Sequence, residues 1–316
     1  MSANKGLSSR AIIGSFYQRL EVAQAASWVN DIGMYFASDQ ESETYKWLGQ
    51  VPAMREWVGG RQAKGFHENG ITIENKLYES TLEVPLDWMR RDKTGQIMVR
   101  VDELVGRTVT HWQSLLSTLI AGGEAGVCYD GQYFFDTDHA EGKSGTQSND
   151  IAVDISTVPA TVHGTPTAPS PEEVRAMVMA GVEKILGFKD NEGEPMNEMA
   201  RDFLVMVPTS YFTASAAALS NPVLGGGDTN TLTNLDGYSF RLAVNPRLTW
   251  TDKISVFRRD GSVKPFILQE EQGVEVAAVA EGSELEFNER KHRYGVSALR
   301  NVGYGYWQRA CLVQAV

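Results

Sequence analysis

Cysteine is scarce in this 316-residue chain. Its two thiols, Cys128 and Cys311, stand far apart and form no CxxC pair. That excludes a cysteine-only zinc site and a thioredoxin-like redox pair, and it fits a reducing compartment with both thiols free. The five histidines are scattered, at His67, His111, His139, His163 and His292, and no HExxH occurs; a zincin-type metal site is therefore absent. No G-x-S-x-G is present, so the usual hydrolase elbow is missing. No run of eighteen apolar residues exists, which excludes a membrane-spanning helix, and the opening "MSANKGLSSRAIIGSFY" lacks the apolar core of a signal peptide. Positive charge is in the minority. Lys and Arg number 29 against 40 Asp and Glu, a net charge of -11, and such a surface repels phosphates over any large face.

What is present points to a mixed α+β chain. Hydrophobic residues make up 42% and there are 30 glycines and 11 prolines, enough for a sizeable core cut by many turns. Phe16, Leu20, Ala23 and Ser27, with Trp28 alongside, recur at helical steps. Val101, Val105, Val109, Trp112, Leu116 and Ile120 predict a helix of more than twenty residues, stopped by Gly122-Gly123. Ser170-Pro171-Glu172-Glu173 combines a capping box with proline at the first helical position. "RDFLVMVP" reads as a short buried strand, "TSYFTASAAALS" as a helix, and "YSFRLAVNPRL" and "KISVFRR" as strands.

Two segments look poorly suited to a core of their own. Residues 66–99 read as a long hairpin, with "RRDKTGQ" as the turn and "IMV" starting the return. Leu82, Val84, Leu86 and Trp88 alternate with polar residues, yet Ile71 and Ile73 fall in the opposite phase, so no single face is apolar throughout. Pro85 favours an edge or a free ribbon. Upstream, Tyr45, Trp47 and Trp57 surround a Val51-Pro52 kink and suggest an aromatic strap in need of a partner surface.

The most conspicuous chemistry lies in "GVCYDGQYFFDTDHAEG", residues 126–142. Asp136, Asp138 and His139 suit a divalent metal and would serve a metal-dependent hydrolase. No calcium-loop ladder follows, however, and no distant ligand set stands out. Asp130-Gly131 between apolar runs is a hairpin signal, and Asp136 and Asp138 can each close an Asx-turn. The stretch is thus expected to be a turn whose carboxylates hold backbone geometry. "LGGGDTNT" lacks the lysine of a phosphate loop and reads as a mobile loop.

Taken in order, "ENKLYESTLEVPLDW", "YDGQYFFDTDH", "FLVMVP" with its alanine-rich helix, "NPVLGGG" and "KPFILQ" resemble the major head subunits of Mu-like phages and prophages, the gpT family. The resemblance covers nearly the whole chain. It implies a Hong Kong 97-type α+β capsid fold. Residues 1–65 would be an N-terminal arm, 66–99 an extended loop, 100–169 and 284–316 a peripheral domain around a spine helix, and 170–283 an axial domain. It further implies a non-enzymatic protein without cofactor or metal, which self-assembles as hexamers and pentamers into an icosahedral shell around double-stranded DNA. That shell would be built in the host cytoplasm and carried in the virion. Separate scaffold, portal and decoration proteins would be partners, packaged DNA would be touched weakly and non-specifically, and no membrane would be involved. Assembly contacts are expected at Tyr45, Trp47, Trp57, Glu79, Trp88, Arg90, Arg91 and Lys93. Gly225, Gly226, Gly227 and Asp228 would form an axial loop, and Asp130, Gly131, Asp136, Asp138 and His139 a structural turn. Some relatives of the fold carry Lys–Asn cross-links; Lys93 has no identifiable Glu and Asn partners, so none is expected. The arm begins almost at once, which suggests a scaffold that is separate or not fused. A tail or baseplate component is the other structural reading.

Overall fold

A computed structural model describes residues 8–23, 27–46, 70–91, 95–158, 162–225, 227 and 229–316. Trp47, Trp57, Lys93, Gly226 and Asp228 lie outside the described residues, as does the Val51-Pro52 kink.

Two sheets organise the chain. One has five strands in the order β7 (Asp150–Val153), β13 (Ala310–Ala315), β10 (Lys253–Arg258), β8 (Asp202–Val207) and β9 (Ser239–Val244). Its middle is apolar on both faces: Val205, Val256 and Cys311 sit side by side, fully buried. Helix α6 (Pro171–Gly187) packs on β13 and β10, with α7 (Phe212–Ser220) beside it. The capping box at its start is complete, since Ser170 accepts from the Glu173 N–H and Glu173 accepts from the Ser170 N–H. Gly181 brings α6 close to the sheet. A Cβ there would lie 2.9 Å from Val256 Cγ2 and 3.1 Å from Val313 Cγ2.

The second sheet runs β1 (Gly33–Ala37), β11 (Phe266–Val279), β12 (Lys291–Tyr304), β4 (Lys76–Pro85). At its base Phe266, Ile267, Leu268 and Tyr304 belong to the main core. Beyond β1 it continues as a three-stranded ribbon. Register irregularities in β11 between Glu270, Gln272 and Glu275 mark the passage from base to ribbon. Along the ribbon, Tyr294 and Val296 of β12 and Leu82 and Val84 of β4 point one way. They meet Ile12, Phe16 and Leu20 of α1 (Ser9–Ala23) and Ile97, Val101 and Val105 of α4 (Gln96–Val109), forming a separate smaller core.

The expected hairpin over 66–99 is therefore corrected. β3 (Ile71–Glu74) pairs with β2 (Ser42–Tyr45), β4 pairs with β12, and the expected return strand is the first turn of α4. The phase change between Ile73 and Leu82 is a strand break at buried Asn75, whose side chain donates to Ser38 Oγ, Gln40 O and Glu271 Oε2. Each strand has its own apolar side, so the ribbon does carry one apolar face, and the chain's own helices cover it. The four-residue step linking Val101 and Val105 extends back to Ile97, which explains helix where a strand was expected.

The long helix is also interrupted. Thr110 (φ -77°, ψ 0°) separates α4 from α5 (His111–Ala121). Arg300, buried from β12, reaches this bend. Its Nε donates to His111 Nδ1 at 3.0 Å, and its guanidinium lies 4.6 Å from the centre of the Trp112 ring. Burial, with the charges of Arg300 and Arg247, pushes His111 down to about 4, so its ring stays neutral and accepts. α4 faces the ribbon core and α5 the main core, and one straight rod would not serve both.

The domain boundaries drawn from the sequence cut across these sheets. The break at 283/284 falls inside the β11–β12 hairpin, and β13 is an interior strand of the five-stranded sheet, between β7 and β10, rather than part of the ribbon.

Gly181→Val should overpack the α6–sheet contact and lower unfolding free energy by about 2 kcal/mol. Urea titration of both proteins measures this; an unchanged midpoint would contradict the packing described.

Candidate assembly surfaces

The 126–142 turn follows from local chemistry. After α5, Val127 bridges Tyr133, and Gly131 takes φ 89°, a conformation that costs other residues strain. Asp130 Oδ1 accepts the Gln132 N–H at 3.2 Å and closes an Asx-turn. Its other oxygen accepts from His139 Nδ1 at 2.6 Å. His139 is fully buried and stacks on Trp307, with centroids 3.9 Å apart and planes 8° off parallel. Asn149, also fully buried, ties the turn to the fold. Its Oδ1 accepts the Asp136 N–H and faces His139 Nε2 at 3.2 Å, and its Nδ2 donates to Phe134 O.

Asp136 accepts from the Tyr133 and Thr137 N–H groups at 3.1 and 2.7 Å. Against the opposing effect of burial, these bonds hold its carboxyl below the usual range. Asp138 is exposed; desolvation and the neighbouring Asp136 raise it. Asp136 and Asp138 lie against each other, yet the three residues offered for metal chemistry form no ligand set. Asp136 is spent on backbone groups and His139 is sandwiched between Asp130, Asn149 and Trp307. Among the described residues no group of three or more His, Cys, Asp or Glu could hold a metal ion. Asn149, Trp307 and Glu141 escaped sequence reading, because nothing in a lone Asn or Trp marks it as a partner of a turn far along the chain. Burial, with Asp130 and Asp190 adding to it, pushes the Glu141 carboxyl up to about 7 against the pull of the Tyr129 hydroxyl.

The glycine-rich loop is anchored rather than bare. Glu172 Oε1 accepts the Gly225 N–H at 2.5 Å, Val223 bridges Thr229, and buried Asn230 donates to Ala218 O and Asn221 O. Gly227 takes φ 85° with its N–H on Leu224 O.

The expected contact residues divide. Tyr45 is corrected from contact to core: it is buried, packs on Phe36 at 5.2 Å and donates to Gln269 Oε1 at 2.9 Å. Glu79 stands on the ribbon's outer face, accepting from Thr81 Oγ1. That face also carries Leu77, Ser297 and Ala277, with Glu83 held by Lys291 and Arg293 at 2.8 and 2.9 Å. Trp88 and Arg91 are exposed on α3 (Leu86–Arg91) at the ribbon's distal end. The side chain of Arg90 is outside the described residues.

The family described as the Mu-like prophage major head subunit gpT matches residues 10–159 and 254–316. The chain belongs to the gpT family. Two related proteins are the Mu-like prophage FluMu major head subunit of Haemophilus influenzae, 33% identical over 132 residues, and the major capsid protein of Escherichia phage Mu, 35% identical over 115. These matches span 42% and 36% of this chain and less than half of either relative, 43% and 38%. Among solved structures, a chain from the procapsid of bacteriophage JBD30 superposes with TM-score 0.56 at 23% identity, over 98% of this chain and 76% of that one. A chain from the capsid of cyanophage P-SCSP1u gives 0.57 at 10% identity, over 92% and 88%. The fold is thus the Hong Kong 97-type capsid fold expected for the gpT family. No helix among the described residues is long and apolar enough to cross a membrane.

Asp136→Ala removes two backbone acceptors and should cost about 1 kcal/mol; chemical denaturation tests it, and no change would disprove the turn's structural role. Glu141 carries a folded value near 7 against 4.5 unfolded. Its stabilising contribution is full below pH 4.5 and is lost as pH rises through 7. Melting temperature should accordingly fall less between pH 5 and pH 8 in Glu141→Gln than in the parent.

Proposed function

We propose that this chain is a major capsid subunit that assembles with copies of itself, as hexamers and pentamers, into an icosahedral shell around double-stranded phage DNA. The role is structural and not catalytic. Membership of the gpT family, whose matched segments include the ribbon strands β4, β11 and β12 in full, is the observation that carries this reading. The geometry supports it physically. The ribbon buries its apolar face under α1 and α4 yet keeps its outer face and distal end in water, so its remaining apolar area is available to neighbours. Many modest contacts of this kind make a durable container through multivalency.

The subunit would reside in the virion after assembly in the host cytoplasm, with scaffold, portal and decoration proteins as separate partners. A net charge of -11 leaves only weak, non-specific contact with the packaged genome. A division that follows the sheets suits this role better than one that follows chain order. The peripheral part would hold the ribbon with α3, α4 and α5, and the axial part the five-stranded sheet with α6, α7 and the 222–230 loop. Likeness to shell proteins favours a head over a tail or baseplate component. The hydrolase reading is not favoured, given the engagement of Asp136 and His139 described above.

Electron micrographs of the purified full chain should show capsomers or closed particles. A species that stays monomeric under all assembly conditions, with phage partners present, would refute the proposal.

A further inference from the structure

The ribbon's distal end leaves a large apolar group in water. β11 and β12 are joined through α9 (Glu284–Glu289), where Phe287 is 88% exposed, more than any other large apolar side chain among the described residues. α3 lies beside it, held by the Leu86 N–H on Arg290 O and by the Asp87–Arg290 ion pair at 2.8 Å, and adds Trp88 at 68% exposure. α9 carries Glu284, Glu286 and Glu289 and no basic residue; Glu289 is held by Lys291 at 3.4 Å and Glu286 faces His292 at 3.5 Å, which leaves exposed Glu284 beside Phe287 as the carboxylate available to a partner.

A receptor of opposite character lies at the ribbon's base. Where α1, the α4–α5 bend and the irregular part of β11 meet, a cleft of about 450 Å³ opens. Leu20, Val29, Val109 and Val274 supply apolar walls. Arg300 lies in the cleft, and the charges of both Arg300 and Arg247 act on His111 beside it. Within the cleft Glu270 accepts from the Tyr35 hydroxyl at 2.7 Å and balances buried Arg300 at 3.6 Å, so the positive character of the bend is carried by exposed Arg247. Gly273 lines the same space. A Cβ there would meet nothing within 4 Å, and the residue is not in the left-handed region. A side chain built there would extend into the cleft without meeting the chain's own atoms at its first carbon.

We propose that Phe287 of one copy inserts into this cleft of a second copy, with Glu284 of α9 facing the cationic bend. The inference rests on the self-assembly reading and names one of its contacts. An aromatic side chain buries roughly 150–250 Å² when enclosed, and the cleft is large enough to take the ring. Knob and hole sit at opposite ends of the ribbon, so the contact is head-to-tail. Such a contact leaves each new copy with a free knob or hole, and it propagates into a ring or a string instead of ending at a dimer.

Disulfide trapping tests this in the full-length chain. The native thiols Cys128 and Cys311 are buried and contribute little background. Phe287→Cys combined with Gly273→Cys, oxidised in air with copper–phenanthroline, should give a ladder of cross-linked multimers on a non-reducing gel, while each single variant stays uncross-linked. Dimers from Phe287→Cys alone would indicate tip-to-tip contact and overturn the proposal. Gly273→Trp fills the cleft and should keep the parent's circular dichroism while weakening association by about tenfold, the effect of losing one central anchor. Phe287→Asp should do the same, and undiminished association in both variants would overturn the proposal. Particles that form without a ladder would sink this contact alone; absence of both particles and ladder would sink the self-assembly reading with it.

Discussion

The pairing of β11 with β12 holds the structure together. These two fourteen-residue strands belong to both cores at once. At one end Phe266, Ile267, Leu268 and Tyr304 lock into the main core, and at the other Val274, Val276, Tyr294 and Val296 meet α1 and α4. Each core satisfies the ordinary rule of enclosing apolar area. This hairpin obliges them to share one polypeptide geometry. The α4–α5 break follows from the same constraint, because successive halves of that helix serve different cores.

The turn at 126–142 illustrates how polar groups can be structural. Asp130, His139 and Asn149 are enclosed, and enclosed polar groups persist only where partners are supplied. Two contacts tie the local turn to a distant segment: His139 stacks on Trp307, and Asn149, just ahead of β7, donates to Trp307 O. A cluster with the composition of an active site is, in this setting, a clamp on the end of the chain.

Much of this was legible in the residues. The capping box at Ser170, the buried strand over Asp202–Val207, the alanine-rich helix and the turn at Asp130-Gly131 each obey a local rule, and each occurs as read. The family was legible too, from motifs in order. Misreadings arose where pairing is decided at long range. Residues 71–85 look like one arm because strand propensity runs through them, but β3 answers to β2 and β4 to β12, with Asn75 as the joint. "IMV" has strand composition, and only the continuing four-residue period identifies it as helix. Tyr45 looked like a surface aromatic because nothing nearby announces Gln269 as its partner. Of the candidate site, the turn residues were found from sequence, whereas Asn149, Trp307 and Glu141 were not.

The irregularities in β11 between Glu270 and Glu275 carry a final consequence. A bulge bends its strand and sharpens local twist, so these few residues set the inclination of the ribbon to the body beneath it. When identical pieces tile a closed surface, their tilt fixes its radius. In the proposed shell, the angle set at this joint would govern the curvature at which copies meet, whereas a one-residue change in strand length would turn Val274 and Val276 out of the ribbon core.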